Sequence, residues 1–256
     1  MLRLEEFSCG YADGFRLKPF SMEWETGCIG GIIGRNGSGK STLLKGLMGD
    51  LPALTGKICL DGENLSELTL RERARRVASV QQFIHTAPIS VEDYILLGRL
   101  PYLPRFAFSF ASRDKEIGQG YTDMAGLNYL RRKYLTEISG GELQMVAVVR
   151  ALVQEPTLLL LDEATSHLDI SYQSRIIRLL KEVHRRRELS ILMVIHDLNQ
   201  AAGWCDSLTL VKSGQVIAHG SAEEVLTPTL IREAYDAEIR IHTDPYTGRP
   251  ILTTLD

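Results

Sequence analysis

Short apolar runs bounded by glycine alternate along this chain with stretches whose apolar residues recur every three or four positions, the pattern of strands followed by helices. From residue 2 to about residue 25 apolar and polar positions alternate in short pieces, punctuated by Gly10, Gly14 and Gly27, which predicts a small antiparallel β region. CIGGIIG then reads as a buried strand running straight into a glycine loop, and STLLKGLMG continues as a helix. GKICLDG predicts a strand between glycines, TLRERARR a short polar helix and VASVQQ a further strand.

Between about 91 and 135 the character changes. SVEDYILLGR and the stretch 114–134 read as helical, with the proline-punctuated aromatic segment LPYLPRFAFSF between them, so a helical subdomain is inserted in the strand–helix alternation. Helical spacing returns at Leu143, Val146, Ala147 and Ala151. PTLLLLDE is an apolar strand ending in two carboxylates, SYQSRIIRLLKEVHRRRE places Ile176, Leu179, Leu180 and Val183 on one helical face, and LSILMVIHD is another buried strand. DSLTLVKSGQVIAHG predicts a hairpin around Ser213 and Gly214, followed by short helices and an extended piece at 250–254. The fold class is therefore α/β, a mostly parallel sheet covered by helices, with an antiparallel region at the N-terminus and an α-helical insert. The expected division is a core over 1–90 and 157–220, the helical subdomain over 91–156 and a C-terminal extension over 221–256, all within one domain.

Composition narrows the class. The chain has 256 residues, 44% hydrophobic and 24% charged, with 29 Lys+Arg against 32 Asp+Glu for a formal charge of −3, so no basic excess argues for nucleic acid or an anionic lipid surface. Cys9, Cys28, Cys59 and Cys205 lack any CxxC spacing, which points to buried small hydrophobes rather than a zinc site or a disulfide framework. Acidic residues stand where a signal peptide would keep its apolar core, and no segment approaches the ~20 apolar residues a spanning helix needs. The expectation is a cytoplasmic protein that meets a membrane only through partners.

The chemistry concentrates in two helix mouths and two strand ends. Gly34, Arg35, Asn36, Gly37, Ser38, Gly39, Lys40 and Ser41, followed by Thr42, satisfy GxxxxGK[ST] between an apolar strand and a helix. Glycines let backbone N–H groups fold round phosphate oxygens, Lys40 suits the β- and γ-phosphates, and the Ser41 hydroxyl suits Mg²⁺. Asp162 ends an apolar strand where open α/β sheets place ligands and is a magnesium candidate, and the adjoining Glu163 can polarise a water for attack on the γ-phosphate. Ser139, Gly140 and Gly141 form a second anion-attracting helix mouth, about a hundred residues beyond the first. His196 ends a strand and reads either as a partly exposed histidine or as a γ-phosphate contact. Gln82 reads either as a surface amide or as a magnesium ligand.

Together these residues resemble the ATP-binding subunit of an ABC transporter over essentially the whole chain. GRNGSGKST is similar to the Walker A loop and LLLLDE to the Walker B strand, with Glu163 as the implied catalytic base. ISGGE is similar to the family signature, Ser166 to Asp169 to the D-loop, Gln82 to the Q-loop glutamine, and His196 to the switch histidine; Tyr11 lies where the family stacks an aromatic ring on adenine. The resemblance implies a head-to-tail homodimer in which each ATP lies between the Walker A loop of one copy and the signature of the other, so Ser139, Gly140, Gly141 and Glu142 serve the partner's nucleotide. ATP and Mg²⁺ are the implied ligands. This sequence departs from the pattern at Glu142 for Gln, Ile138 for Leu, Ala164 for Pro and Gln81 for Pro; Glu142 adds a negative charge at the helix mouth.

GRLPYLPRF, LDEATSHLDISYQ, IHDLNQA and DPYTGRPIL are similar to importers of iron–siderophore, haem and cobalamin complexes. That resemblance implies two membrane-spanning permease subunits, a separate substrate-binding protein and a place at the cytoplasmic face of the cell membrane, with no nucleic acid involved. A transporter for another solute, a non-transport ABC ATPase and a nucleotide-binding module without catalysis are the rival readings. Retention of Glu163 and His196 opposes the last of these. The aromatic stretch Tyr102, Phe106, Phe108 and Phe110 reads as subdomain core or as a surface that docks a permease.

Overall fold

The computed structural model describes residues 1–105, 107 and 109–255, so Phe106 and Phe108 lie outside the described residues. The chain divides into two compact units, Met1–Glu67 with Ser190–Asp256, and Leu68–Leu189.

The first segment of the first unit holds β1 (Leu2–Cys9), β2 (Phe20–Trp24), β3 (Ile29–Ile33), α1 (Lys40–Met48), β4 (Ala53–Leu60) and β5 (Glu63–Asn64). β1 pairs antiparallel with β2 and β4, giving the sheet β2-β1-β4-β5 and realising the antiparallel region expected near the N-terminus. β4 starts earlier than its apolar pattern predicts, because pairing with β1 carries exposed positions from Ala53 onward into the ladder. α1 packs on β1, where the buried Cys9 thiol faces Gly46; burial pushes that thiol up to about 11.

The second unit starts with α2 (Leu70–Arg76), capped reciprocally by Thr69 and Glu72, then β6 (Val77–Val80), α3 (Val91–Leu96) and α4 (Ser112–Met124). The helix predicted over 114–134 is corrected here: it ends at Met124, Gly126 adopts φ +68°, and a separate 3₁₀ turn covers Asn128–Leu130. Leu127 and Leu130 are fully buried, so the apolar spacing continues past the point where the backbone turns away. α5 (Gly140–Val153) is buried along most of its length, β7 (Leu158–Asp162) pairs in parallel with β6, and α6 (Ile170–Arg187) buries Ile176, Leu179, Leu180 and Val183 at helical intervals. Four basic residues, His184 to Arg187, close α6 at the negative end of its dipole.

Tyr102 belongs to the fabric of this unit. Its hydroxyl donates to the Gln154 carbonyl at 3.1 Å, and the buried Arg99 guanidinium lies 3.9 Å from its ring centre. Arg99 in turn donates to Asp114 at 2.9 Å, to the Val153 carbonyl at 2.9 Å and to Glu155 at 3.1 Å, pinning the segment after α3 to α4 and to the end of α5.

The chain then returns to the first unit with β8 (Ser190–Val194), α7 (Leu198–Trp204), β9 (Ser207–Lys212), β10 (Gln215–Gly220), α8 (Ala222–Val225), α9 (Pro228–Tyr235), β11 (Ile239–Thr243) and β12 (Pro250–Thr254). β3 pairs in parallel with both β8 and β9, and β9 forms the expected hairpin with β10. β3, buried at every position, is thus central among these strands, and α1 packs on β8 as well as β1. The last hairpin, β11–β12, docks on α7: Asn199 exchanges two hydrogen bonds with the Leu252 backbone, 2.7 and 3.2 Å, and Arg249 donates to the Ala202 carbonyl at 2.8 Å. Among the described residues no helix is long and apolar enough to cross a membrane.

Candidate active site

In the first unit the glycine loop joins β3 to α1. Gly34 has φ +147°, and a Cβ there would run into the Val211 carbonyl and come within 2.7 Å of Ser38 Oγ, so only glycine permits this closure. Lys40 is 4% exposed and folds back over its own loop, donating to the Gly34 and Arg35 carbonyls at 2.7 and 3.0 Å. Ser41 is half-buried and Thr42 buried at the base of the same turn. Gly39, at the N-cap of α1, supplies no side-chain cap, and Gly37 faces open space. Ser38 Oγ is buried without a hydrogen-bond partner. Such an orphaned buried hydroxyl at the mouth of α1 is what a phosphate oxygen would satisfy, so the loop fits a nucleotide phosphate.

The loop is braced from outside its own sequence. Gly214, in the turn between β9 and β10, donates to the Ser38 carbonyl at 2.7 Å and accepts from Lys18 N–H at 2.8 Å. The Phe15 ring lies against Gly39 and Gly214, and the Tyr235 phenol is buried beside Gly34, where burial pushes it up to about 12. Phe15, Gly214 and Tyr235 are not legible as loop partners from the sequence; the turn signal at 213–214 marked the hairpin but not what it touches. Tyr11 opens the turn that Phe15 closes, is 43% exposed, and accepts from Lys45 Nζ at 3.3 Å, which leaves its ring presented to solvent beside α1. His196 lies just beyond β8 and is exposed; Asp197 immediately caps α7.

The second unit carries the carboxylates and the other helix mouth. Asp162 ends β7 after four fully buried leucines. Glu163 adopts φ +52°, a strained conformation for a residue with a Cβ, and its carbonyl closes the following turn by accepting from Ser166 N–H at 2.9 Å. Gln82 Nε2 donates to Glu163 Oε2 at 2.8 Å. Of the two readings open for Gln82, the structure brings its amide onto the second carboxylate, leaving its carbonyl oxygen as the end with metal-ligand chemistry. Ser41 in the first unit, and Asp162 and Gln82 in the second, each carry an oxygen of the hard kind that suits Mg²⁺. Asp169 caps α6 by accepting from Tyr172 N–H at 2.9 Å.

Ser139 caps α5 in a reciprocal box. Its Oγ accepts from Glu142 N–H at 3.3 Å, while Glu142 Oε2 accepts from Ser139 N–H at 2.8 Å and from the Ser139 hydroxyl at 2.9 Å. Gly140 faces open space, whereas Gly141 lies under the Tyr172 ring. The Ser139 N–H, followed by the Tyr129 phenol and the Ser139 hydroxyl, stabilises the ionised Glu142 carboxyl below its ordinary range.

The ABC transporter family model matches residues 17–166. The ferric enterobactin transport ATP-binding protein of Escherichia coli (strain K12) is 33% identical over 99% of this chain and 94% of its own length. The hemin import ATP-binding protein of Burkholderia thailandensis is 34% identical over 94% of this chain and 95% of its own length. A solved structure of a metal-chelate type ABC transporter in an inward-facing conformation superposes with a TM-score of 0.86 and 25% identity, covering 100% of this chain and 97% of that one. By the family match over more than half of its length and the likeness to these import subunits over nearly all of it, this chain belongs to the ABC transporter family as an ATP-binding subunit.

Proposed function

We propose that the protein is the ATP-hydrolysing subunit of an importer that carries a metal chelate of the iron–siderophore, haem or cobalamin type across the cytoplasmic membrane. The observation that carries this reading is likeness along nearly the full length to import subunits for ferric enterobactin and hemin, in a chain that keeps the phosphate loop and both carboxylates. The subunit acts as a homodimer at the cytoplasmic face, beneath two permease subunits that a separate substrate-binding protein supplies with cargo.

The role of each residue is the one the family resemblance implies, and its chemistry suits that role. Tyr11 offers its exposed ring to adenine. The backbone N–H groups of 35–42, with Ser38 Oγ and Lys40, take the β- and γ-phosphates; to do so Lys40 exchanges two loop carbonyls for phosphate oxygens, a change to stronger, charge-assisted partners. Ser41, Asp162 and Gln82 hold Mg²⁺, which when bound neutralises charge on the phosphates. Glu163 accepts a proton from the attacking water, with Gln82 fixing the direction of its carboxylate. His196 contacts the γ-phosphate, and Asp169 fixes the loop between Glu163 and α6. Ser139, Gly140 and Gly141 grip the γ-phosphate of the other subunit's ATP, so closure depends on that phosphate being intact, and hydrolysis reopens the dimer.

The test is a pair of variants. Glu163→Gln binds ATP and accumulates as a closed dimer without turnover, and Ser139→Arg in a mixed dimer silences the site of its partner. Hydrolysis that survives Glu163→Gln refutes the role given to Glu163, and an active strict monomer refutes the shared site. For cargo, vesicles holding the co-purified permease are loaded with ferric siderophore, haem or cobalamin; ATP-driven uptake of none of the three refutes chelate import.

A further inference from the structure

Glu142 is the one signature position where this chain puts a charge beside the mouth of α5, and the structure shows what that charge does. Its carboxylate curls back rather than extending outward: Oε2 takes both the N–H and the O–H of Ser139 at 2.8 and 2.9 Å. A serine hydroxyl has a single proton. While that proton lies on Glu142, Ser139 Oγ has none to donate to an approaching phosphate oxygen. A glutamine would hold the same proton with a neutral oxygen, and a hydrogen bond to a charged acceptor is roughly twice as strong as a neutral one. The glutamate thus holds the Ser139 hydroxyl more strongly than a glutamine would.

A second residue pulls in the opposite direction. Tyr129, from the 3₁₀ turn Asn128–Leu130, donates its hydroxyl to Glu142 Oε1 at 2.9 Å. Burial of the phenol and the adjacent Glu142 carboxylate both hold the Tyr129 proton more firmly than usual, so the phenol remains a donor. The residue is 57% exposed, and this hydrogen bond ties its phenol to α5. A donor on Oε1 draws negative charge away from Oε2 and fixes the carboxylate from its other side.

We propose that Tyr129 is a positioning residue for ATP-driven closure: by binding Glu142 Oε1 it anchors a carboxylate that would otherwise face the incoming γ-phosphate and loosens that carboxylate's hold on the Ser139 hydroxyl. The proposal rests on the reading of Ser139 as a contact to the other subunit's nucleotide. Tyr129 and Glu142 are then a matched pair, with the phenol needed because the carboxylate is there.

The experiment measures the MgATP concentration that half-dimerises the full chain, by light scattering after gel filtration, in the Glu163→Gln background that prevents turnover. Tyr129→Phe removes one hydrogen bond to a charged group and raises that concentration about tenfold, while its thermal midpoint and the affinity of the monomer for a fluorescent ATP analogue stay at the parent values. When Glu142→Gln is already present, adding Tyr129→Phe shifts the half-point by less than about twofold, because a neutral amide needs no anchoring. Parent-like dimerisation of Tyr129→Phe overturns the proposal. So does a loss of the same size with Glu142→Gln already in place, which marks Tyr129 as a general support of the turn. Ser139→Arg is run alongside: if it dimerises normally, the shared-site reading itself fails, whereas if it blocks dimerisation and Tyr129→Phe does not, only the present proposal falls.

Discussion

Two adjacent glycines at the start of α5 should respond to the same substitution in opposite ways. Neither has a positive φ, so alanine fits the backbone at both and restricts the unfolded chain by about 0.4–1 kcal/mol. At Gly140 a Cβ meets nothing within 4 Å, so Gly140→Ala should stabilise the protein by about that amount. At Gly141 the Cβ would stand 2.6 and 2.8 Å from Cδ2 and Cγ of Tyr172, the root of the ring and not its movable tip. The ring must be displaced, and overpacking of this kind costs about 1–3 kcal/mol, which outweighs the entropic gain. Gly141→Ala should therefore destabilise by up to about 2 kcal/mol, and the strain should be relieved by pairing it with Tyr172→Ala. Function should run differently from stability. The open face of Gly140 is where a phosphate would approach, so Gly140→Ala should lose most ATPase activity while melting higher than the parent. Thermal unfolding and phosphate release, measured on both single variants and the Gly141→Ala/Tyr172→Ala pair, decide the matter. A Gly140→Ala protein that is both more stable and fully active would refute the phosphate-facing reading of this helix mouth, and a Gly141→Ala protein that matches Gly140→Ala in stability would refute the packing argument.

Three further outcomes are expected. Arg99→Met keeps volume but strips a buried ionic cluster of its cation, leaving Asp114 and Glu155 without it; the loss should be about 3–5 kcal/mol, read as a lowered urea midpoint, and a change below about 1 kcal/mol would contradict the assigned contacts. Asn199→Ala leaves the Leu252 N–H and C=O without their shared partner and should cost about 1–3 kcal/mol, with faster amide exchange confined to β11, β12 and α7 as the local sign. Glu142 is held below its ordinary value of 4.5 by its hydrogen bonds to Ser139 and Tyr129, so its stabilising contribution is present in full above 4.5 and is lost as the pH falls through its lower folded value. The thermal advantage of the parent over Glu142→Gln should accordingly shrink only on the acid side, and an advantage that instead disappears toward alkaline pH would reverse the sign of this argument.

The parts of the site that could be read from the sequence are those made by neighbours in the chain. The loop at 34–42 and the strand leading to Asp162 and Glu163 each place their chemistry within a few consecutive residues, and flanking apolar runs announce their secondary structure. Helix faces were equally legible, as Ile176, Leu179, Leu180 and Val183 on α6 illustrate. Periodicity failed where core spacing outlives the helix: Leu127 and Leu130 are as buried as helix residues but reach the core from a turn and a 3₁₀ segment. It also gave no sign of polar partners far apart in the chain. The Gln82 amide on Glu163, the Tyr129 phenol on Glu142 and the Asn199 amide on Leu252 involve exposed or half-exposed side chains that leave no apolar rhythm, and only folding shows which of their possible hydrogen bonds are made.

The brace behind the phosphate loop carries a consequence for how this protein can change. A loop built from glycines has little rigidity of its own, and here its curvature is imposed by the tip of a distant hairpin, through the Gly214 N–H on the Ser38 carbonyl, and by the Phe15 ring. Nucleotide affinity would thereby depend on residues that lie outside the loop's own sequence. Drift at the hairpin tip could retune how tightly fuel is held while every motif residue stays as it is, so two relatives with identical loops need not share one affinity.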